Sequence, residues 1–386
     1  MIDVIIIGAG PAGTCCAKRL AENGLSVKVF DRRAEIGNPK RCGEGLSEST
    51  QELIGKIPER CIAQRIKGAR IYAPNGRYLE AVLKEGGFVL ERKVFDKWLA
   101  EEAIKSGAEI QANTFISGLL KNDDYFNGVK GEFFGEYFEE RAKMIVCATG
   151  AESPLRKQAL GVFSQLNLID SCLQYEMSGI ETVPELIHIY LGNQMAPRGY
   201  AWVFPKGNNR ANVGVGIIPS EKKPKAYLEE FVKNHPELQK GSIIEVNAGC
   251  VPVGGMLKDM VTNGFLVCGE AAHHVNPIHG GGMKEAIISG QIAADVITEC
   301  LNKNDVSKKA LSKFNDLWWE KRGNLMKNVE KLREVAEKLS DEDLNDLVDA
   351  LKPEDIIEFS RGSKLSVLAK ALMRKPKLIT LARHLL

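Results

Sequence analysis

The sequence lacks the features that would assign it to a membrane or to an oxidising compartment. No apolar run approaches the roughly 18 to 20 residues that a transmembrane helix needs. The nine cysteines form no Cys-x-x-Cys pair, and the N-terminal residues do not have the pattern of a signal peptide. We therefore expect a protein of the reducing cytoplasm without a disulfide framework, soluble or at most peripheral at the inner face of the cell membrane.

Strong charge and metal-ligand patterns are also missing. The 386 residues include 52 Lys and Arg against 50 Asp and Glu, a net charge of +2, so nucleic acid is not an expected partner. His273, His274 and His279 have irregular spacing and few nearby carboxylates, so no metal site is predicted. The length allows two or three domains with a large core.

A glycine-rich turn near the N terminus predicts a dinucleotide site. An apolar run over residues 2–7 is followed by Gly8, Gly10 and Gly13 at G-x-G-x-x-G spacing, and then by a helical pattern. A second strand ends at Asp31, about 20 residues further on. In such a βαβ unit the glycines bring backbone N–H groups to a pyrophosphate, and the acid accepts from ribose hydroxyls. This turn alone does not distinguish NAD from FAD.

A second glycine stretch, far along the chain, indicates a flavin. The sequence G-E-A-A at residues 269–272 follows a short buried strand and precedes three glycines and a helical pattern. It resembles the G-D-A-A motif of flavoproteins built like aromatic hydroxylases, with Glu270 one methylene longer than the usual aspartate. Residues 147–156 resemble the D-G-x-x-S-x-x-R motif of the same class, with Thr149 in place of the aspartate.

These resemblances imply an α/β fold. We expect a Rossmann-type FAD-binding domain of the aromatic-hydroxylase-like class, an inserted antiparallel β-sheet substrate domain and a helical C-terminal region. The predicted segments are 1–60, 88–165 and 250–302 for the FAD-binding domain, 61–87 and 166–249 for the β-rich catalytic and substrate domain, and 303–386 for the helical region.

Three further segments narrow the family. Residues 40–45 read K-R-C-G-E-G, residues 92–96 read R-K-V-F-D, and residues 197–205 contain the pattern P-x-x-Y-x-W-x-F-P. In combination they resemble the geranylgeranyl reductase family of FAD-dependent oxidoreductases, and the resemblance extends from residue 1 to about residue 300. The helical tail contributes little to it.

The motifs and the resemblance together predict the site residues and FAD as the cofactor. The predicted FAD contacts are Gly8, Gly10, Ala12, Gly13, Asp31, Cys42, Gly43, Gly45, Arg92, Ile116, Glu270, Gly281, Gly282 and Met283. Cys42, Tyr200 and Trp202 are the predicted catalytic residues, and Tyr200, Trp202 and Phe204 are predicted to bind substrate. The residues themselves leave alternatives open, because buried cysteines are mostly inert and an aromatic strand is often a core face.

The resemblance implies reduction of isoprenoid double bonds in geranylgeranyl chains of archaeal ether phospholipids, with a polyprenyl phospholipid as substrate. Neither a second G-x-G-x-x-G nor an iron–sulfur cysteine cluster occurs, so electrons are expected from an external donor, which is NAD(P)H, ferredoxin or a deazaflavin. The alternatives are an FAD-dependent hydroxylase or halogenase on the same scaffold, and a flavin-binding protein without turnover.

The C-terminal segment, residues 361–386, carries seven Lys and Arg and no acid. A solvated basic helix face explains this composition. An alternative is contact with an anionic membrane surface, to which basic amphipathic helices bind.

Overall fold

The computed structural model describes residues 2–355, which form two β-sheets and the helices packed around them. The first sheet contains β1 (Ile2–Ile7), β2 (Val27–Phe30), β6 (Glu109–Gln111), β7 (Thr114–Asn122), β8 (Tyr125–Phe133), β9 (Glu136–Cys147), β15 (Val261–Thr262) and β16 (Phe265–Val267). The second sheet contains β3 (Gly45–Ser47), β4 (Ile62–Tyr72), β5 (Tyr78–Leu90), β10 (Ile169–Ser178), β11 (Leu186–Tyr190), β12 (Tyr200–Gly207), β13 (Arg210–Ile217) and β14 (Ser242–Pro252).

The described part of the chain contains eleven α-helices. They are α1 (Pro11–Glu22), α2 (Gln51–Ile54), α3 (Arg92–Lys105), α4 (Pro154–Leu160), α5 (Pro224–Lys233), α6 (Pro236–Gln239), α7 (Met283–Asn302), α8 (Lys308–Leu311), α9 (Lys313–Trp318), α10 (Asn324–Ala336) and α11 (Asp341–Ala350). A π-helical turn at Trp319–Gly323 joins α9 to α10. None of the helices within residues 2–355 has the length and apolar character needed to cross a bilayer.

The first sheet confirms the predicted βαβ unit. Strand β1 is parallel to both β2 and β9, and its residues Val4, Ile5 and Ile6 are fully buried. Covered on both faces, such a strand is continuously apolar rather than alternating. Helix α1 begins with Pro11, whose fixed φ suits the first helical position, and it packs against α7.

The second sheet has the order β14-β10-β13-β12-β11-β4-β5-β3, and β4–β5 and β12–β13 form hairpins. One pair departs from the expected antiparallel sheet, because β11 runs parallel to β4. No hairpin joins these two strands, since the chain passes through the first sheet between β5 and β11, so turn geometry does not determine their relative direction.

The two faces of the second sheet have different roles. Side chains alternate across a strand, and one face packs Val203, Val213 and Val215 on Leu228 and Phe231 of α5. The opposite face is turned toward the nucleotide-binding sheet and lines the large cavity described below. The second sheet therefore has a closed core on one side and a binding surface on the other.

The C-terminal region is helical from α8 to α11, as predicted, and Leu311, Phe314 and Trp318 are buried in the core of the first sheet. The basic segment 361–386 lies outside the described residues. The boundaries of the predicted domains remain a prediction. Strand β3 and the end of β5, which the prediction assigns to the FAD-binding segments, pair within the second sheet.

Candidate functional site

The two glycine stretches line one cavity of about 1490 Å³ between the sheets. All the predicted site residues except Gly13 contribute to its wall. An ordinary ligand pocket encloses about 300–1,000 Å³, so this cavity has room for a dinucleotide cofactor and a second ligand. The structure thus brings together motifs from both ends of the chain, as the sequence predicts.

The first glycine turn has a shape that only glycines allow. Gly8 has a φ of +106°, and a Cβ there would lie 2.4 Å from the carbonyl oxygen of Ala148. A Cβ on Gly13 would lie 1.9 Å from the carbonyl oxygen of Gly8, which explains why Gly13 packs helix on strand instead of facing the cavity. Gly10 has open space in front of it, so a phosphate can approach its backbone closely.

Asp31 lies at the end of β2, where the prediction places it. Its carboxylate accepts from the backbone N–H of Ala9 at 2.8 Å and from the Arg33 guanidinium at 2.7 and 2.9 Å. Burial alone would raise the pKa of Asp31, but the hydrogen bonds and charge of Arg33 outweigh burial and hold that pKa below its usual value. The ion pair of Arg33 with Asp31 was not predicted. The position of a basic residue two places after the acid could have indicated it.

Glu270 lies in a helical turn between β16 and α7. We call the part of the cavity lined by Glu270 and by the glycines before α7 the flavin end, because the motif there resembles that of flavoproteins. Burial raises the pKa of its carboxyl to about 7, despite opposing effects from the backbone of Ala151 and from Arg92 and Arg41. Beyond it, Gly281, Gly282 and Met283 line the cavity where α7 begins. A helix N-terminus presents free N–H groups to a polar ligand, which suits a flavin ring edge.

Ile116 and Arg92 border other parts of the cavity. Ile116 is buried in β7 and lines the same wall as Thr114 and Phe115. Arg92 begins α3 and forms a two-bond ion pair with Asp96, at 2.8 and 2.9 Å. These residues, the open Gly10 and the half-buried Glu270 fit a long dinucleotide with phosphates at one end and a polar ring at the other. The cavity therefore fits FAD.

The Cys42 loop, residues 42–45, lies against the second sheet. Its three successive carbonyls accept hydrogen bonds from the Gln174 amide, the Asn212 amide and the backbone N–H of Leu90. The backbone N–H of Glu44 donates to the Cys42 sulfur at 3.2 Å. Burial raises the pKa of the Cys42 thiol, although the charge of Arg92 opposes it, so the thiol is protonated at neutral pH.

The two glycines of the loop make room for the aromatic strand. A Cβ on Gly43 or Gly45 would lie 3.1 or 3.2 Å from Cε2 of Phe204, tighter than ordinary van der Waals contact. Phe204 therefore supports the Cys42 loop as well as lining the cavity, and its predicted contact with substrate remains a prediction.

The other two rings of the strand also have defined partners. The Tyr200 hydroxyl donates to the carbonyl of His279 at 2.7 Å, in the loop before α7. The Trp202 indole N–H donates to the side-chain oxygen of Gln174 at 3.0 Å. The Trp202 ring lies over β13, because a Cβ on Gly214 would be 2.3 Å from its Cζ2 atom. Glycine at this position is what permits the ring to lie flat on the sheet.

The cavity continues away from the flavin end along an apolar face. Strand register places Ile189 beside Trp202 on one side and beside Ile71 on the other, with Ile187 beside Ala69. Helix α11 covers this extension from the opposite side with Leu344, Leu347 and the following Leu351. We call this region the apolar arm, defined by Ala69, Ile71, Ile187, Ile189, Leu344, Leu347 and Leu351. Its existence was not predicted from the sequence.

A buried ionic cluster behind the Cys42 loop was also missed. Lys206 is fully buried, and its ammonium donates to Glu44 at 2.6 Å, Glu91 at 2.9 Å and Glu176 at 3.1 Å. Lys40 pairs with Glu44 and Glu176 from the other side. Burial alone would raise the pKa of Glu44, but the charges of Lys206 and Lys40 hold it below its usual value. The alternation of polar and apolar residues along β10 was a signal for this charged face.

The three histidines near the second glycine stretch have structural partners. His273 contacts Ser164 and the carbonyls of Gly254 and Gly255, and the His274 ring stacks on Trp318. The ring of His279 accepts from the backbone N–H of Gly281 at 3.1 Å. No group of three or more metal-ligating side chains occurs within the described residues 2–355.

The fold and the site together define a flavoprotein oxidoreductase with a Rossmann-type FAD-binding domain. A family model for the geranylgeranyl reductase catalytic domain matches residues 169–251, which span β10 to β13 and nearly all of β14. A model for an NAD(P)-binding Rossmann-like domain matches residues 6–44. The predictions of the fold class and of FAD as the cofactor are confirmed.

Curated relatives identify the family. The digeranylgeranylglycerophospholipid reductase of Methanocella arvoryzae is 40% identical, over 98% of this chain and 97% of its own. Digeranylgeranylglycerophospholipid reductase 2 of Methanopyrus kandleri is 37% identical, over 100% and 99%. The chain belongs to the digeranylgeranylglycerophospholipid reductase family, within the geranylgeranyl reductases.

Solved structures agree with this placement. A geranylgeranyl bacteriochlorophyll reductase-like protein from Thermoplasma acidophilum is 34% identical with a TM-score of 0.91, covering 100% of this chain and 99% of its own. The myxobacterial chondrochloren halogenase has a TM-score of 0.73 at 18% identity, covering 100% and 96%. At that identity the halogenase shows the shared fold alone.

Proposed function

We propose that the protein uses reduced FAD to saturate isoprenoid double bonds in the geranylgeranyl chains of archaeal ether phospholipids. The observation that carries this proposal is the single cavity that joins both flavin loops to the aromatic strand and then continues as the apolar arm. Relatives over nearly the full length are named as reductases of digeranylgeranylglycerophospholipids. A long apolar chain beside a flavin site is what this geometry accommodates.

The apolar arm supplies the affinity for such a chain. Its walls are aliphatic side chains of β4 and β11 on one side and leucines of α11 on the other. Burial of apolar surface contributes about 25 cal/mol per Å², so a polyprenyl chain gains several kcal/mol without any polar contact. The rings of Tyr200 and Trp202, whose centroids are 5.8 Å apart, form a stiff wall where the arm meets the flavin end.

The residues of the two glycine stretches would hold FAD, which in its reduced form would supply a hydride to one alkene carbon while a proton is delivered to the other. The protein positions the double bond and excludes water from the reacting atoms. The catalytic roles predicted for Cys42, Tyr200 and Trp202 belong to this proposal. Cys42 holds its proton on Sγ at neutral pH because burial raises its pKa. The Tyr200 proton is engaged by the carbonyl of His279, so Tyr200 positions the loop beside the flavin.

The electron donor and the location of the protein are further parts of the proposal. We expect an external reductant, NAD(P)H, reduced ferredoxin or a reduced deazaflavin, to regenerate the cofactor. A cytoplasmic protein that touches the inner face of the cell membrane would reach a phospholipid substrate. The basic segment 361–386, outside the described residues, carries charge of the sign that anionic lipids attract.

The decisive experiment is anaerobic turnover of dithionite-reduced protein with geranylgeranyl phospholipid, followed by mass spectrometry of the lipid. The expected result is a gain of two hydrogen atoms for each double bond reduced, with reoxidation of the flavin. Free geranylgeranyl diphosphate in a parallel reaction tests whether the phospholipid is preferred. Protein without reductant is the control.

A different outcome would support the alternatives. Oxygen-dependent NAD(P)H consumption with hydroxylated or halogenated product would replace the reductase by a monooxygenase. Reduced flavin that no polyprenyl compound reoxidises would leave a flavin-binding protein without turnover.

A further inference from the structure

Gln174 makes contact with both motifs that define the substrate side of the cavity. It lies on β10, only 4% exposed, at the register position next to Gly214 of β13. Its amide nitrogen donates to the carbonyl of Cys42 at 3.2 Å, and its amide oxygen accepts from the Trp202 indole at 3.0 Å. One buried side chain therefore bridges the Cys42 loop and the aromatic strand.

We infer that Gln174 is a positioning residue that couples the Trp202 ring to the Cys42 loop. This inference rests on the proposed function, since it assigns to Gln174 the alignment of the ring wall with the loop beside the flavin. The two partners require a side chain with both an acceptor and a donor, because the indole N–H only donates and a backbone carbonyl only accepts. An amide satisfies both at once, whereas a carboxylate or an aliphatic side chain does not.

The surroundings make this bridge specific. The Trp202 ring lies close above Gly214, and within residues 2–355 its N–H has a single acceptor, the Gln174 side-chain oxygen on β10. The next two carbonyls of the loop, those of Gly43 and Glu44, accept from the Asn212 side chain and from the backbone N–H of Leu90. The Cys42 carbonyl is therefore the point at which Gln174 links the loop to Trp202, in addition to the ion pair between Glu44 and Lys206 of the same strand.

Loss of the bridge is expected to be local. Glu44, two residues after Cys42, is anchored separately by Lys206 at 2.6 Å and by Asn212 at 2.7 Å. The loop thus remains attached at one end when the Gln174 bond is removed. Only the segment that carries the Cys42 thiol is freed, and this makes the reactivity of that thiol a direct reporter.

The test is a double-mutant cycle on flavin-loaded protein, read by the rate at which iodoacetamide alkylates Cys42 in peptide mass maps. Gln174→Met removes both hydrogen bonds, whereas Trp202→Phe removes the indole N–H together with part of the ring and leaves the bond from Gln174 to the Cys42 carbonyl in place. We expect each variant to raise the Cys42 rate by about tenfold, as loss of a buried hydrogen bond predicts. The double variant should be no faster than the faster single variant, because both act through one bridge.

Controls separate the local effect from unfolding. Cys61 is fully buried, so its alkylation rate should stay at the parent value unless the chain unfolds. Gln64→Met, at a half-buried position on β4, should change neither rate. If Gln174→Met unfolds the chain and exposes Cys61, Trp202→Phe with Gln174 intact still decides the question. Two results would overturn the inference. One is a double variant in which the two rate increases multiply, and the other is a Cys42 rate within about twofold of the parent in both single variants.

This readout does not depend on turnover. A coupled Cys42 response in a protein that fails to hydrogenate any polyprenyl lipid would remove the proposed function while leaving the bridge established. Normal hydrogenation with no coupling between the two substitutions would remove the bridge while leaving the proposed function in place.

Discussion

At the scale of single residues, Glu270 stands out because it is a carboxyl group with its pKa raised to about 7 by burial. Its usual value is 4.5, so between pH 4.5 and 7 the unfolded chain loses this proton before the folded protein does. The free energy of unfolding contributed by Glu270 therefore falls as the pH rises through this range. Above pH 7 both states are ionised and the contribution is constant.

We predict that flavin-free Glu270→Gln gains stability relative to the parent as the pH rises from 4.5 to 7, by at most about 3 kcal/mol. Urea unfolding of both proteins at several pH values measures the difference. Burial raises the pKa of Asp170 to about 6. Asp170 titrates in both proteins, so its contribution cancels in the difference between their free energies of unfolding. Parallel stability curves would show that the surroundings of Glu270 do not raise its pKa.

Cys42 is the second residue with a distinct expectation. Its protonated thiol faces the cavity, and a general acid typically contributes about 10²–10⁴-fold to a rate. Cys42→Ala is therefore expected to lower the single-turnover rate of lipid reduction by that factor at unchanged flavin absorbance. Cys172→Ala, on β10 in the same cavity wall, is the matched control. Undiminished turnover in Cys42→Ala would exclude the thiol from the proton transfer.

At the scale of elements, the position of the Trp202 ring on the β12–β13 hairpin depends on the glycine at position 214. In Gly214→Ala the new methyl would lie 2.3 Å from Trp202 Cζ2 and 2.5 Å from Cε2, so the indole must lift from the sheet and lose its bond to Gln174. We predict a loss of about 1–3 kcal/mol in unfolding free energy and a reduced rate of lipid reduction.

A second substitution checks the cause. Trp202→Leu removes the ring that the methyl meets, so Gly214→Ala should cost much less stability when it is added to Trp202→Leu than when it is added to the parent. Denaturant unfolding of the four proteins measures this. Additive losses would mean that strain in β13, and not the ring contact, is responsible.

At the scale of the whole molecule, the buried ionic cluster holds the Cys42 loop to the second sheet. Lys206→Met would leave the carboxylates of Glu44, Glu91 and Glu176 without their shared cation, and breaking a buried ion pair in this way costs about 3–5 kcal/mol. The pKa of Glu44 and that of Glu176 lie below their usual values, so their stabilisation is present at neutral pH and is lost as the pH falls through those values.

The loss caused by Lys206→Met is therefore expected to be largest near pH 7 and smaller near pH 4, where the carboxyl groups of the variant take up protons. Thermal unfolding of parent and variant at both pH values tests this. Lys67→Met breaks an exposed pair with Glu185 and should change stability by less than about 1 kcal/mol at either pH. A deficit that does not change with pH would contradict the cluster as described.

The apolar arm also depends on the whole molecule, because α11 is held over it by distant residues. The Asn193 side chain donates to the carbonyl of Leu339 at 2.8 Å, and its backbone N–H donates to Asp341 at 2.6 Å. Arg198 pairs with Glu337 in the same region. These contacts place Leu344 against the sheet face that carries Ile71 and Ile189.

We predict that Leu344→Trp fills the arm and raises the KM for a geranylgeranyl lipid by about tenfold or more, while the flavin absorbance and its retention on gel filtration stay as in the parent. Leu344→Met, which conserves volume, is the control and should keep the parent KM. An unchanged KM in Leu344→Trp would place the substrate chain elsewhere.

Much of this protein is determined by the sequence alone. The turn at Gly8, Gly10 and Gly13, the buried strand before it and the acid at Asp31 follow from backbone sterics and apolar runs, which act over a few residues. The flavin stretch around Glu270 and the strand with Tyr200 and Trp202 were also predicted, and both line the cavity.

Only the tertiary structure decided how these parts meet. Three features join residues that are far apart in the chain. They are the bridge from Trp202 through Gln174 to Cys42, the burial of Lys206 among three carboxylates and the covering of the apolar arm by Leu344. Such contacts depend on the register of neighbouring strands and on the packing of one sheet against another, and local sequence patterns carry no information about either.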